Sequence, residues 1–202
     1  MTIKRSAFSL AACALLFASC ASDEPQRSLS GYQLDPAPTV AAFSLPDAAA
    51  NGSDFSFRAN EGQLLMVYFG YTACPDVCPT TLYEVKKALQ QVGESADQIA
   101  LAMITVDPDR DTAEIITGYV QSFIPQAHAL RTEDADALQA VASAFGASYS
   151  VTKEADGTVE VSHSGALYLV DSSGTVVLTW PFGIPAEGIA TDLQIILSQS
   201  AS

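Results

Sequence analysis

The chain has 202 residues, of which 49% are hydrophobic and 16% are charged. This length accommodates one compact domain with a tail and is too short for two domains of ordinary size. The formal net charge is −14, from 23 acidic and 9 basic residues. Binding to a phosphate backbone relies on clustered Lys and Arg, and the sequence has no basic stripe, so we expect no nucleic-acid partner.

The first twenty residues have the pattern of an export signal. Basic Lys4 and Arg5 precede an apolar run over residues 7–18, which is shorter than a membrane-spanning helix requires. The run ends in Phe17-Ala18-Ser19-Cys20, which resembles the lipobox of bacterial lipoproteins. We predict a signal peptide over residues 1–20 and a lipid on Cys20, which would anchor the protein on the extracytoplasmic, periplasmic face of a bacterial envelope membrane. An ordinary signal or an uncleaved anchor is the alternative.

Residues 21–42 are rich in Ser, Pro, Asp and Gln and contain few large apolar side chains. This composition predicts a flexible tether, with the folded domain over residues 43–202. An Asn51-Gly52 pair near the start of that domain is a hairpin-type turn signal.

The first half of the domain alternates strands and helices. The apolar run 64–69 predicts a strand buried on both faces, in the middle of a sheet. Apolar residues at helical spacing over 82–92 predict a helix that ends at Gly93. A second buried strand over 99–106 precedes another helix, for which Asp111 is the predicted N-cap.

The second half begins with a predicted helix over residues 133–145 and then changes to short strands. Segments 149–152 and 158–161 flank the turn pair Asp156-Gly157, and two further strands, 166–170 and 176–180, follow. A helix over 189–197 closes the domain. This order predicts an α/β fold, a thioredoxin-like sandwich with an inserted β-hairpin and an N-terminal extension.

Cys74 and Cys78 are the cysteines of the predicted mature domain, because Cys13 lies in the signal segment and Cys20 at its end. They fall between a central strand and a helix, where free N–H groups at the helix N-terminus favour thiolates. We expect Cys78 in the first helical turn and Cys74 in the loop before it. Their Cys-x3-Cys spacing is wider than that of dithiol oxidoreductases, yet by itself it leaves metal binding and redox chemistry equally open.

Two thiolates need a further ligand to hold a metal, and the chain has two histidines. His163 is the better candidate because it enters the strand that returns beside the cysteines, whereas His128 lies near a helix end and has no such relation. Two thiolates and one imidazole suit Cu(I) and also resemble trigonal Cu(II) sites, whereas zinc normally takes a fourth ligand. Copper is therefore the favoured metal.

Three separated segments resemble the Sco/SenC family of copper proteins in their order and spacing. They contain Cys74-Pro75-Asp76-Val77-Cys78-Pro79, Val106-Asp107-Pro108-Asp109-Arg110-Asp111 and Ser162-His163-Ser164. The resemblance covers residues 43–197 and implies a thioredoxin-like fold with one copper, Cu(I) or Cu(II), on Cys74, Cys78 and His163. It also implies that the protein delivers copper to the copper-site subunit of a cytochrome oxidase during assembly, with a thiol reductant or another copper chaperone as a further partner.

Several alternatives stay open at this stage. The main one is a thiol-disulfide reductase that keeps the cysteines of the oxidase copper site reduced through a redox-active disulfide between Cys74 and Cys78. A peroxiredoxin-type peroxidase fits less well, because Thr72 is one residue too close to Cys74 for that pattern, and an electron-transfer protein is also conceivable. Asp76 and Asp107 could tune the site or dock the partner, or could simply be helix-start and turn residues.

Overall fold

The computed structural model describes residues 28–200. Strands and helices alternate along it, as follows: β1 (Ser44–Asp47), β2 (Ser53–Ser56), β3 (Leu64–Gly70), α1 (Val77–Val92), β4 (Ile99–Thr105), α2 (Ala113–Phe123), β5 (His128–Leu130), α3 (Ala135–Phe145), β6 (Tyr149–Lys153), β7 (Val159–His163), β8 (Leu167–Val170), β9 (Val176–Trp180) and α4 (Ala186–Ser200). The predicted α/β class and thioredoxin-like order are confirmed.

A seven-stranded sheet in the order β2-β1-β5-β4-β3-β8-β9 forms the centre of the domain. β3 pairs parallel with β4 and antiparallel with β8, and all of its residues are buried. Its side chains alternate between two cores: Leu64, Met66 and Tyr68 face α1, α2 and α4, while Leu65, Val67 and Phe69 face α3. An uninterrupted apolar run is what a strand covered on both faces requires.

Helix α1 starts directly after the cysteine loop, at the carboxyl end of β3. Its inward face is formed by side chains at helical spacing, among them Cys78, Leu82 and Val85, which are fully buried. The helix ends at Gly93, whose φ of 72° is favourable for glycine. This connection carries the two cysteines to one end of the sheet.

The inserted hairpin is a separate two-stranded sheet made of β6 and β7. Its turn contains Gly157 with a φ of 89°, as the Asp156-Gly157 pair predicted. β7 ends at His163, and β8 begins four residues later, antiparallel to β3. The hairpin therefore delivers His163 to the end of the sheet that holds the cysteines.

Residues 28–40 lie against the domain, although they fall within the predicted tether. Tyr32 bridges to Thr179 of β9 and Thr39 bridges to Thr175, directly before that strand, and Val40 is fully buried. This N-terminal arm is polar in composition and is held by backbone hydrogen bonds, which explains why composition alone predicted a tether. The signal segment and Cys20 lie outside the described residues.

Two local features differ from the sequence predictions. β5 is a three-residue strand between β1 and β4, too short to give a periodic signal. The N-cap of α2 is Thr112, whose hydroxyl accepts a hydrogen bond from the Ile115 amide, and Asp111 turns inward instead. Within residues 28–200, no helix combines the length and apolar character needed to cross a membrane.

Candidate metal centre

The two cysteines occupy the positions that the sequence predicted. Cys78 lies in the first turn of α1 and is fully buried, whereas Cys74 lies in the preceding loop and is partly exposed. The Cys78 amide donates a hydrogen bond to Cys74 Sγ across 3.4 Å. Gly70 at the end of β3 leaves room for Cys78, because a Cβ there would lie 3.0 Å from its sulfur and 2.8 Å from the Tyr68 ring.

His163, the last residue of β7, completes the cluster. Its Nε2 atom lies 3.5 Å from Cys78 Sγ. Its Nδ1 atom lies 3.0 Å from the Ser164 carbonyl oxygen. Since a carbonyl can only accept, Nδ1 carries the proton and Nε2 presents its lone pair to the sulfurs. One ligand atom from each of Cys74, Cys78 and His163 lies within 4.8 Å of the other two.

Burial and hydrogen bonding shift the pKa values of the two thiols in opposite directions. Burial raises the pKa of Cys78 to about 12. Burial also acts to raise the pKa of Cys74, but hydrogen bonds from the Cys78 backbone and side chain, the Asp76 amide and Tyr71 outweigh it and lower that pKa below its ordinary value. The expected stabilisation of a thiolate by the helix N-terminus therefore holds for Cys74, whereas burial dominates at Cys78.

Burial lowers the pKa of His163, and its hydrogen bond to the Ser164 carbonyl opposes this only in part. The imidazole is therefore neutral at physiological pH and its Nε2 is ready to bind a metal. Tyr68 and Tyr71 stand edge-on to the imidazole, with ring centroids 6.1 Å and 5.7 Å away. Burial raises the pKa of both tyrosines, so both stay protonated.

The cluster opens to solvent on one side. A pocket of about 280 Å³ adjoins it, lined by Tyr71, Cys74, Pro75, Asp76, Val77, Val161, Ser162 and His163. Cys74 borders this pocket, while Cys78 lies beneath it. A partner protein can therefore reach the cluster from the side of Cys74 and His163.

Asp111 supports the cysteine loop from below, a role that the sequence prediction missed. Its fully buried carboxylate accepts hydrogen bonds from the Thr72 amide at 3.0 Å, from the Thr72 hydroxyl, and from the Thr105 hydroxyl at 2.6 Å. Thr72 lies two residues before Cys74, so Asp111 ties the loop to the end of β4. No sequence signal indicated this role, because Asp111 was predicted to be the N-cap of α2, which the structure places at Thr112.

The other predicted candidates lie around the cluster rather than in it. Exposed Asp76 precedes α1 and accepts a hydrogen bond from the Thr80 hydroxyl at 3.3 Å. Buried Asp107 pairs with Arg110, whose guanidinium carbon lies 5.8 Å from the centre of the Tyr71 ring. Asp107 thus reaches the pocket only through Arg110 and Tyr71.

His128 is occupied elsewhere. Its Nδ1 atom lies 2.7 Å from the carboxylate of Asp47, which is buried. Asp47 also accepts hydrogen bonds from the amides of Ala49 and Ala129. His128 therefore belongs to the β1–β5 junction and lies outside the Cys74–Cys78–His163 group, for which it was the poorer candidate.

The donor set fits a soft, three-coordinate metal. Two sulfurs and one neutral imidazole nitrogen converge, and among the described residues no fourth Cys, His, Asp or Glu joins the group. This composition suits copper better than a structural zinc site, which normally has four protein ligands. Fold and site together define a thioredoxin-like domain with a candidate Cys₂His metal centre.

Comparison with known proteins supplies the family. The SCO1/SenC family model matches residues 32–198, and the chain belongs to this family. A protein of Stutzerimonas stutzeri is 36% identical over 127 residues, and the chain spans 62% of that relative's length.

Solved structures agree with this assignment. Copper-bound ScoI of Bradyrhizobium japonicum is 32% identical, with a TM-score of 0.65 over 76% of this chain and 96% of that one. BsSco, a member of the Sco family of cytochrome c oxidase assembly proteins, shares the fold at 16% identity, with a TM-score of 0.61 over 83% of this chain and 98% of that one.

Proposed function

We propose that this protein is a copper chaperone that binds one copper ion through Cys74, Cys78 and His163 and delivers it to a cytochrome oxidase copper site during assembly. The observation that carries the proposal is the convergence of three ligand atoms within 4.8 Å of one another beside an open pocket. Two related proteins support it: Bradyrhizobium ScoI binds copper, and BsSco is a member of the Sco family of cytochrome c oxidase assembly proteins.

Copper is the cargo in this proposal. The neutral His163 imidazole and the low-pKa Cys74 thiol accept the ion, and Cys78 gives up its proton to complete the set. Release proceeds by ligand exchange, in which the partner's thiols approach through the pocket and replace the partly exposed Cys74 first. Buried Cys78 is replaced last, which keeps the ion bound until the partner holds it.

The test is transfer to the apo form of an oxidase copper-site subunit under anaerobic conditions. Copper-loaded protein and apo subunit are mixed and separated, and the copper content of each is measured. The proposal predicts that copper moves to the subunit, and that His128→Ala transfers like wild type. Copper that stays with the chaperone at equilibrium would contradict the proposal. Transfer that a competing chelator abolishes would also contradict it, because such copper would have passed through free solution.

A second candidate is a thiol-disulfide reductase that keeps the oxidase cysteines reduced. The unequal thiols favour it, because Cys74 is exposed with a lowered pKa while Cys78 is buried beside it. The Cys74 thiolate would attack a partner disulfide to form a mixed disulfide. Cys78, after losing its proton, would then release the reduced partner and leave an oxidised Cys74–Cys78 pair for an external thiol reductant.

Substitution of His163 distinguishes the copper chaperone from the thiol-disulfide reductase. The exchange reaction uses only the two sulfurs, whereas copper binding uses all three groups. His163→Ala is therefore expected to abolish copper transfer and to leave disulfide reduction largely intact. A variant that still supports oxidase assembly without binding copper would favour the reductase.

We also propose that Cys20 carries a lipid that anchors the domain to the outer side of a bacterial envelope membrane. The lipobox-like residues 17–20 support this, and a SCO1/SenC family lipoprotein of Bacillus anthracis provides a parallel. Cys20→Ser should move the protein from the membrane fraction to the soluble fraction and remove incorporation of a labelled fatty acid.

Asp76 and Asp107 have separable roles in this proposal. Asp76 is exposed beside the pocket and would dock the partner, so Asp76→Asn should slow transfer without weakening copper binding. Asp107 would act on the site through Arg110 and Tyr71, so Asp107→Asn should change copper affinity itself.

A further inference from the structure

Asp192 is a buried carboxylate that the proposed chemistry does not use. It lies in α4, is fully buried, and accepts hydrogen bonds from the Ser30 amide at 2.9 Å, the Gly31 amide at 2.9 Å and the Trp180 indole at 2.8 Å. No lysine or arginine between residues 28 and 200 forms an ion pair with it. Two of its donors come from the N-terminal arm, so releasing the arm would leave a buried carboxyl group short of hydrogen-bond partners.

The contacts around the arm are close enough to fix its path. A Cβ on Gly188 would lie 2.8 Å from the Ser30 hydroxyl, and a Cβ on Gly31 would lie 2.8 Å from Leu178. Further along, the Val40 amide donates to the Gly174 carbonyl at 2.8 Å. The arm is therefore clamped along the outer edge of β9 from Ser30 to Val40.

The direction of the arm places its first residue at the metal-site end of the sheet. Trp180 of β9 pairs with Leu167 of β8, and Leu167 pairs with Tyr68 near the carboxyl end of β3, which leads into the cysteine loop. The arm is antiparallel to β9, with Tyr32 opposite Thr179 and Thr39 opposite Thr175. Ser30 thus lies at the same end as the cysteines, three strand spacings or about 14 Å to the side.

We call the hydrogen bonds from the Ser30 and Gly31 amides to the Asp192 carboxylate the Asp192 clamp. We propose that this clamp holds the domain with its metal-site end toward the membrane. This inference rests on the lipid anchor at Cys20 proposed above. Nine residues separate Cys20 from Ser30, so the ten residue steps between the two positions span at most about 35 Å. Because the anchor attaches at the end that bears the metal centre, the cluster faces the bilayer, and the partner must receive copper at a site within reach of the membrane surface.

The test uses the full lipidated chain in vesicles that contain a nickel-chelating lipid, with a nitroxide at either end of the domain. Ala73→Cys labels the site end and Glu61→Cys, just before β3, labels the opposite end; both positions are exposed. Each is made with Cys74→Ser and Cys78→Ser, so copper binding plays no part. Power-saturation electron paramagnetic resonance then measures how strongly the membrane-bound nickel relaxes each label.

We expect relaxation several-fold stronger at position 73 than at position 61. The difference should be smaller in Asp192→Asn, because Ser30 and Gly31 are held less firmly and the free tether is longer. Asp97→Asn, which changes an exposed carboxylate, should keep the wild-type difference. If Asp192→Asn does not fold, Ser30→Pro takes its place in the experiment. Proline has no N–H, so this variant removes the Ser30 hydrogen bond to Asp192 without altering the core. Vesicle-bound protein with equal or reversed relaxation overturns the orientation alone, whereas protein that does not bind vesicles overturns the anchor and the orientation with it.

Discussion

His163 Nε2 lies 3.5 Å from Cys78 Sγ, although 85 positions separate the two residues in the chain. Two ordinary features of the fold bring them together: Cys78 starts the helix after β3, and His163 ends the strand before β8, which is antiparallel to β3. The Ser164 carbonyl then fixes the imidazole tautomer so that the free nitrogen points at the sulfur. The backbone thus sets both the position of the histidine and the direction in which its free nitrogen points.

The unequal thiols predict unequal reactivity in the reduced apo protein. Cys74 is partly exposed and has a lowered pKa, whereas burial raises the pKa of Cys78 to about 12. Iodoacetamide reacts with thiolates, so at pH 7 it should modify Cys74 faster than Cys78 by at least about tenfold. Peptide mass spectrometry over time measures both rates, and modification of Cys78 at an equal or higher rate would be inconsistent with the site described.

Copper affinity should rise with pH. The Cys78 thiol has a pKa of about 12 and keeps its proton at every physiological pH, while His163, with a lowered pKa, is already neutral. Binding therefore displaces at least the Cys78 proton, and the association constant should increase by about tenfold for each pH unit between about pH 7 and 9. Competition with a chelator of known pH dependence measures this slope. A flat profile would mean that Cys78 does not bind as a thiolate.

Gly70 should be needed for the position of Cys78. A Cβ there would lie 3.0 Å from the cysteine sulfur and 3.1 Å from Met103 Cε. Gly70→Ala should lower the free energy of unfolding by about 1–3 kcal/mol and weaken copper binding. Gly118→Ala is the matched control, because a Cβ there would meet nothing within 4 Å in the middle of α2. It should stabilise the protein by about 0.5–1 kcal/mol and leave copper binding unchanged.

Asp111 should stabilise both the fold and the cysteine loop. Asp111→Ala leaves the Thr72 amide and the hydroxyls of Thr72 and Thr105 without their acceptor. We expect a loss of about 1–3 kcal/mol in unfolding free energy, since buried donors lose their partner. Copper affinity should fall as well because Cys74 follows Thr72 by two residues. Denaturant titration and chelator competition measure the two effects, and unchanged copper affinity in a destabilised variant would restrict Asp111 to a structural role.

The parts of the fold that the sequence predicted are those whose signal is local. The apolar run of β3, the helical spacing in α1 and the Asp156-Gly157 turn each report on a few neighbouring residues, and all three lie where expected. The proximity of Cys74, Cys78 and His163 was also predicted, because the chain offers only two histidines and one of them precedes the strand that returns to the cysteines.

What the sequence did not predict depends on distant partners. The carboxylate of Asp111 accepts a hydrogen bond from Thr72, which lies 39 positions earlier in the chain. Asp192 accepts hydrogen bonds from Ser30 and Gly31, which lie 162 and 161 positions earlier. The arm itself is polar and pairs through its backbone, so its composition resembles that of a tether. No periodic pattern along the chain encodes such contacts.

Copper content of the reduced soluble domain shows whether Cys74, Cys78 and His163 together hold one copper ion. Wild type, Cys74→Ala, Cys78→Ala, His163→Ala and, as the matched histidine control, His128→Ala are loaded under anaerobic conditions and freed of excess metal. We expect one copper per chain in wild type and His128→Ala, and none or far weaker binding in the other three. Wild type without copper, or His163→Ala with full copper, would contradict this expectation.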